Sequence, residues 1–252
     1  MGKRLHTIDS IRGLTLISMM LYHLCWDLVY IAGIRLDFYT STPGYIWQQS
    51  ICWSFILISG FCVAISNHPI NRGLIVFLCG LIITIVTSIF LPEDIVIFGV
   101  LTLHGSAMII TGLLLPLLEQ IHPALFLTLS AFLFTITRHI SEGYIGFPHA
   151  NVITLSRSLY ANYFTTYLGF PFKSFYSTDY FAIIPWIFLF WCGFALCRLL
   201  KIPKKGTLLL KRPFYIRIPG ISFIGKHSLI IYMLHQPVLY ALVMLFVPGA
   251  VN

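Results

Sequence analysis

Charge is what this chain has least of. Only 10% of its 252 residues are charged, and acids are the scarcest, with 8 Asp and Glu against 16 Lys and Arg. A soluble domain carries about 25% charged residues. Here 58% of residues are hydrophobic and the mean hydropathy is +0.88. These values exclude a water-soluble enzyme or binding module and predict a polytopic membrane protein. A cleavable leader is not expected, because the first apolar stretch is too long and lacks a small-residue cleavage site. It reads as a retained first span. None of the six cysteines (Cys25, Cys52, Cys62, Cys79, Cys192 and Cys197) has C-x-x-C spacing, and all fall in apolar stretches. They read as small core hydrophobes. Neither an internal repeat nor a low-complexity tract is present. The net charge of +8 does not imply nucleic acid, since membrane topology explains the basic residues better.

A span takes about 20 apolar residues. Seven stretches meet that need: 8–30, 44–67, 72–91, 95–118, 123–140, 179–200 and 226–248. The short connectors His68 to Arg72, Leu91 to Asp94 and Gln120 to His122 make neighbouring spans antiparallel. The expected fold is all-α, a transmembrane helix bundle forming one membrane-embedded domain over 1–252. Basic residues mark the cytoplasmic side. With the N-terminus inside, all of the 16 fall there except Arg35, Arg138, Arg157 and Lys173. The C-terminus and the segment 141–178 are then extracytoplasmic. That segment is aromatic, with Tyr144, Tyr160, Tyr163, Phe164, Tyr167, Phe172 and Phe175 among its residues. Part of it, about 153–168, is expected to lie on the interface as a helix. Its rings serve either as a headgroup-level belt or as a stacking platform for a sugar.

The first span carries charge where lipid disfavours it, at roughly 2.5–3.5 kcal/mol per residue on the lenient insertion scale. Arg12 and His23 stand eleven residues apart, almost three full turns, so they share a face about 16 Å apart along the axis. Asp9 precedes Arg12 by three residues and Asp27 follows His23 by four, both same-face spacings. One stripe therefore reads acid, base, imidazole, acid. His104 and His235 each lie about nine residues into their spans, near the bilayer midplane at 1.5 Å per residue. Each reads either as a satisfied bundle histidine or as part of a convergence with His23. The chemistry on offer is acid/base: a neutral imidazole takes a proton from an attacking hydroxyl or amine, and Asp27 is placed to orient the His23 ring and stabilise its cation. Ligand spacing for a metal is lacking. The basic run Arg198 to Lys226 serves either topology alone or docking of a polyphosphate such as that of coenzyme A. Arg12, with its planar fork of donors, is the better phosphate or pantetheine contact.

The opening run RLHTIDSIRGLTLISMMLYH resembles the start of the heparan-α-glucosaminide N-acetyltransferase-like catalytic family, part of the wider acyltransferase-three superfamily. The Arg12-x10-His23 spacing is similar to that superfamily's arginine-to-histidine signature. Further resemblance lies in Phe98-Gly99-Val100-Leu101 before His104, in Asp179-Tyr180-Phe181 with Ile184-Pro185-Trp186, and in Gly225-Lys226-His227 through Tyr232-Met233-Leu234-His235-Gln236-Pro237. The resemblance implies an enzyme of the plasma membrane, bacterial by expectation, that takes an acyl group, acetyl first, from cytosolic acyl-coenzyme A and passes it to an extracytoplasmic glycan or amino sugar. With the spacing and depth argued above, His23, Asp27, His104 and His235 are the expected catalytic set, with the histidine that acts as base left open. Asp9, Arg12, Arg198 and Lys226 are expected at the acyl-coenzyme A from their place and charge, and Asp179, Tyr180 and Trp186, from the resembling stretches, at the acceptor. Partners are then the bilayer, the thioester and the glycan, with a homodimer left open and no metal. One departure stands out. The lysosomal member is thought to use a histidine in the lumenal loop after its first span, whereas residues 24–67 here contain none. Direct transfer is favoured over a lumenal acetyl-histidine relay.

Other functions compete. A transporter or proton relay would use the same polar stripe, although the paired broken helices of an inverted repeat are not seen. A retinal-type receptor fails on orientation and on the lack of a mid-span lysine in the last helix.

Overall fold

The computed structural model describes residues 6–147, 150–202, 216 and 218–247. It is 71% helical, with one two-stranded hairpin among the described residues, so the all-α polytopic class holds. Among the described residues six helices are long and apolar enough to cross a membrane: His6–Tyr30 (α1), Thr42–Ala64 (α2), Pro69–Phe90 (α3), Val100–Leu118 (α4), Pro123–Glu142 and Ser228–Phe246. The fifth of these is α-helical over Pro123–Thr137 (α5). Contacts divide the chain into two compact units, one of Met1–Phe55 with Gly206–Asn252 and one of Ile56–Lys205.

In the first unit, α1 packs against a short helix that the hydropathy pattern hid, Pro219–Lys226 (α8). Proline at its first position is preset for a helix start. At His227 the backbone leaves helical geometry, and the last helix begins at Ser228. The expected span 226–248 is therefore Ser228–Phe246 (α9). Gly13 and Gly225 let α1 and α8 meet backbone to backbone. A Cβ on Gly225 would stand 1.7 Å from the Asp9 carbonyl oxygen, and one on Gly13 would stand 2.1 Å from that of Ile221. Small residues of this kind let membrane helices approach closely. The hydroxyls of Ser10 and Ser222 share a buried hydrogen bond of 2.6 Å across the same seam. Beside it, Leu16, Met19 and Ile51 form a core with Trp47, Tyr22, Ile224 and Ile231.

In the second unit, α3 and α4 lock together through glycines, with Gly73 facing the Gly105 carbonyl and Gly105 facing the Phe77 backbone. The outer side of α3 keeps Leu74, Ile75, Leu78, Ile82 and Ile85 exposed, as a lipid-facing helix must. The expected span 179–200 is helical only over Trp186–Leu199 (α7), 14 residues. The cause is local. The N–H groups of Phe181, Ile183 and Ile184 donate to the carbonyls of Phe98, Tyr167 and Leu168 rather than to a helix of their own. The interfacial helix expected at 153–168 is also corrected. The segment instead forms a hairpin, Tyr144–Phe147 (β1) against Ala150–Thr154 (β2), then a short helix, Tyr163–Leu168 (α6). Val152, Ile153 and Thr154 are β-branched and favour a strand, while the Asn162 side chain caps the helix start and Gly169 ends it.

Candidate functional site

The polar stripe of α1 turns away from the surface that lipid would touch. Ile11, Leu14 and Leu21 are exposed, whereas Asp9 is buried and Asp27 is wholly so. At one end of the helix an Arg12 guanidinium nitrogen lies 3.5 Å from the Asp9 carboxylate and 3.4 Å from the Gly225 carbonyl. The α1–α8 glycine seam thus places the arginine against backbone oxygen. Lys226, the next residue, is exposed at the end of α8.

Further along α1, the His23 ring meets His235 of α9 edge to face, with centroids 4.7 Å apart. Each imidazole reaches back to its own helix. His23 Nδ1 lies 2.9 Å from the Met19 carbonyl and His235 Nδ1 lies 2.5 Å from that of Tyr232. A carbonyl only accepts, so Nδ1 carries the hydrogen and Nε2 keeps the lone pair in the neutral ring. Sequence spacing did not reveal this tautomer. It suits a base whose working nitrogen is Nε2.

Asp27 departs from its expected place. The Gln236 amide nitrogen donates to its Oδ1 at 2.6 Å, while its Oδ2, like His235 Nε2 and Gln236 Oε1, has no hydrogen-bond partner among the described residues. Met19, not Asp27, orients the His23 ring. Sequence reasoning missed Gln236, although an amide beside His235 and Pro237 in an apolar helix was a visible signal. A shallow groove of about 220 Å³ in this unit is lined by Leu14, Thr15, Ser18, Ser50, Ile51 and Ser54, so neither Arg12 nor His23 forms its wall.

In the second unit, His104 is buried in the first turns of α4, its Nδ1 donating to the Val100 carbonyl at 2.6 Å. It shares the tautomer of the other two. Asp179 has a structural task. Its carboxylate accepts from the Val100 N–H at 3.0 Å, satisfying an orphan donor at the N-terminus of α4. The Tyr180 hydroxyl donates to the Thr166 carbonyl at 2.5 Å. Burial pushes this phenol above its usual range. Trp186 packs between Phe134 and Phe181, with ring centroids at 5.7 and 5.1 Å. Phe98, Tyr163, Tyr167, Phe172 and Phe175 pack on one another beside α4. Arg198 donates to three carbonyls at the other end of α4: Leu118 at 2.7 Å, Glu119 at 2.8 Å and Ile121 at 3.1 Å. It is a clamp on a helix C-terminus. Lys204, Lys205, Lys211, Arg212 and Arg217 of the basic run lie outside the described residues.

The family model described as heparan-alpha-glucosaminide N-acetyltransferase, catalytic, matches residues 4–237. The chain belongs to that family. The match covers all of α1, with its Arg12–His23 stripe, and runs into α9 as far as His235-Gln236-Pro237. No curated protein and no solved structure matches the chain. Membership of the family makes the chain a membrane acetyltransferase in outline, carried on apolar helices.

Proposed function

We propose that the whole chain acts as one membrane-embedded acyltransferase. It moves an acetyl or other acyl group from cytosolic acyl-coenzyme A to a hydroxyl or amine of an extracytoplasmic glycan or amino sugar. The N-terminus is cytoplasmic in this reading. The observation that carries it is the His23–His235 pair on α1 and α9, with His23 Nδ1–H spent on the Met19 carbonyl. His23 Nε2 is then the general base. It takes the proton of the acceptor O–H or N–H as that atom attacks the thioester carbonyl. The new C–O or C–N bond forms, the C–S bond breaks, and the proton passes from the imidazolium to the departing thiolate. A base of this kind contributes about 10²–10⁴-fold. Arg12 and Asp9, with Lys226 beside them, receive the phosphates or pantetheine at the inner end. Asp179, Tyr180 and Trp186 act on the acceptor side by fixing the outer end of α4 and the aromatic segment beside it.

Purified protein given radiolabelled acetyl-coenzyme A and glucosamine tests this. His23→Ala and Arg12→Ala should each cut transfer by about a hundredfold or more while the unfolding midpoint stays near that of wild type. Full activity in a folded variant would remove that residue from the mechanism. Solute flux in liposomes without any acyl-coenzyme A would overturn the enzyme reading in favour of transport.

A further inference from the structure

We infer that Gln236 is the positioning residue for the Asp27 carboxyl, an inference that rests on the acyltransferase reading above. Asp27 is 0% exposed in an apolar helix, where an unpartnered acid is costly. Its neighbour at i−4, His23, does not hold it, because the His23 Nδ1–H goes to Met19. The group that does is the Gln236 amide, at 2.6 Å from Oδ1. An ionised carboxylate only accepts, so the amide must present its nitrogen, and the orientation of Gln236 is set. The result is a carboxyl with one oxygen tied and the other, Oδ2, left without a partner among the described residues. The link joins the same stretches of α1 and α9 that bring His23 and His235 together. Asp27 follows His23 by one turn and Gln236 follows His235 directly. Gln236 therefore holds the Asp27 carboxyl one helical turn from His23, with its buried Oδ2 left as an unfilled acceptor. It does so from outside the reacting atoms.

The test uses the detergent-solubilised full chain, with acetyl-coenzyme A and glucosamine as probes. The variants are Gln236→Leu, Asp27→Leu, their double, and the exchange Asp27→Asn with Gln236→Glu. Gln236→Leu should lower kcat by about tenfold or more and leave the KM for acetyl-coenzyme A within about twofold, the mark of an interaction made in the transition state. The exchange rebuilds a carboxyl–amide pair but moves the carboxyl to α9. It should recover the unfolding midpoint of wild type and not its kcat. Wild-type kcat in Gln236→Leu overturns the inference. So does an exchange variant that recovers kcat along with its midpoint, since the link would then be structural only. If wild type itself transfers no label, the enzyme reading fails separately. The pairing is then judged on the midpoints: the double Leu variant should be no less stable than the worse single one, and additive losses would refute it.

Discussion

Replacing Arg198 by Met separates two accounts of one residue. Sequence reasoning places it at acyl-coenzyme A, and the structure places it on the C-terminus of α4. Methionine keeps an unbranched stem beside Phe194, over which the guanidinium carbon lies at 5.8 Å, and removes every donor. Three carbonyls lose a partner: Leu118, Glu119 and Ile121. A hydrogen bond to a charged group contributes about 1.5–3 kcal/mol net. These three share one guanidinium, and the Glu119 bond is solvent-exposed, so water replaces part of the loss. The whole clamp is then worth about 3 kcal/mol rather than the full sum. For a domain of 150–250 residues this corresponds to a fall of about 6–12 °C in the unfolding midpoint. Arg198→Lys keeps the charge at the helix end without the fork and should lose about half as much. Thermal unfolding in detergent reads the stability, and initial rates against acetyl-coenzyme A concentration read the donor site. The expected outcome is a lower midpoint with an unchanged KM. An unmoved midpoint with a KM raised about tenfold, equal to 1.4 kcal/mol of lost binding, would return Arg198 to the donor site and refute the clamp.

Two further predictions concern stability. Gly225→Ala puts a methyl 1.7 Å from the Asp9 carbonyl oxygen, whereas Gly220→Ala on the same helix meets nothing within 4 Å. The first should destabilise by about 1–3 kcal/mol or more and the second should stabilise by about 0.4–1 kcal/mol; equal midpoints would deny that α1 and α8 touch at the backbone. The Tyr167 phenol in the aromatic segment is pushed above its usual range by burial, partly offset by the Ser106 hydroxyl. A raised folded value gives stability that is complete below the unfolded value and lost as pH climbs toward the folded one. Tyr167→Phe should therefore lose stability less steeply than wild type above about pH 10, as read from unfolding midpoints, and identical slopes would contradict the burial argument.

Patterning alone made much of this molecule legible. Long apolar runs cannot fold in water or span lipid as anything but helices, so α1 to α5 and α9 could be read within a few residues of their ends. Arg12, His23 and Asp27 stood out because charge is costly in such runs. Irregular backbone was another matter. Residues 179–185 are as apolar as a span, yet their N–H groups serve the neighbouring loops, and hydropathy does not register where a hydrogen bond goes. The same blindness hid α8 and misread 153–168, where strand-forming and capping residues sit inside an aromatic stretch.

What the chain determined by itself is its class, its family and the helix that bears the polar stripe, because each depends on residue type and spacing along one segment. Which groups those residues serve was decided by tertiary structure. Asp27 pairs with Gln236, 209 positions away, and Arg198 closes a helix 80 positions before it. Hydrogen bonds are short-ranged and directional, so their partners are fixed only once helices distant in sequence are packed side by side.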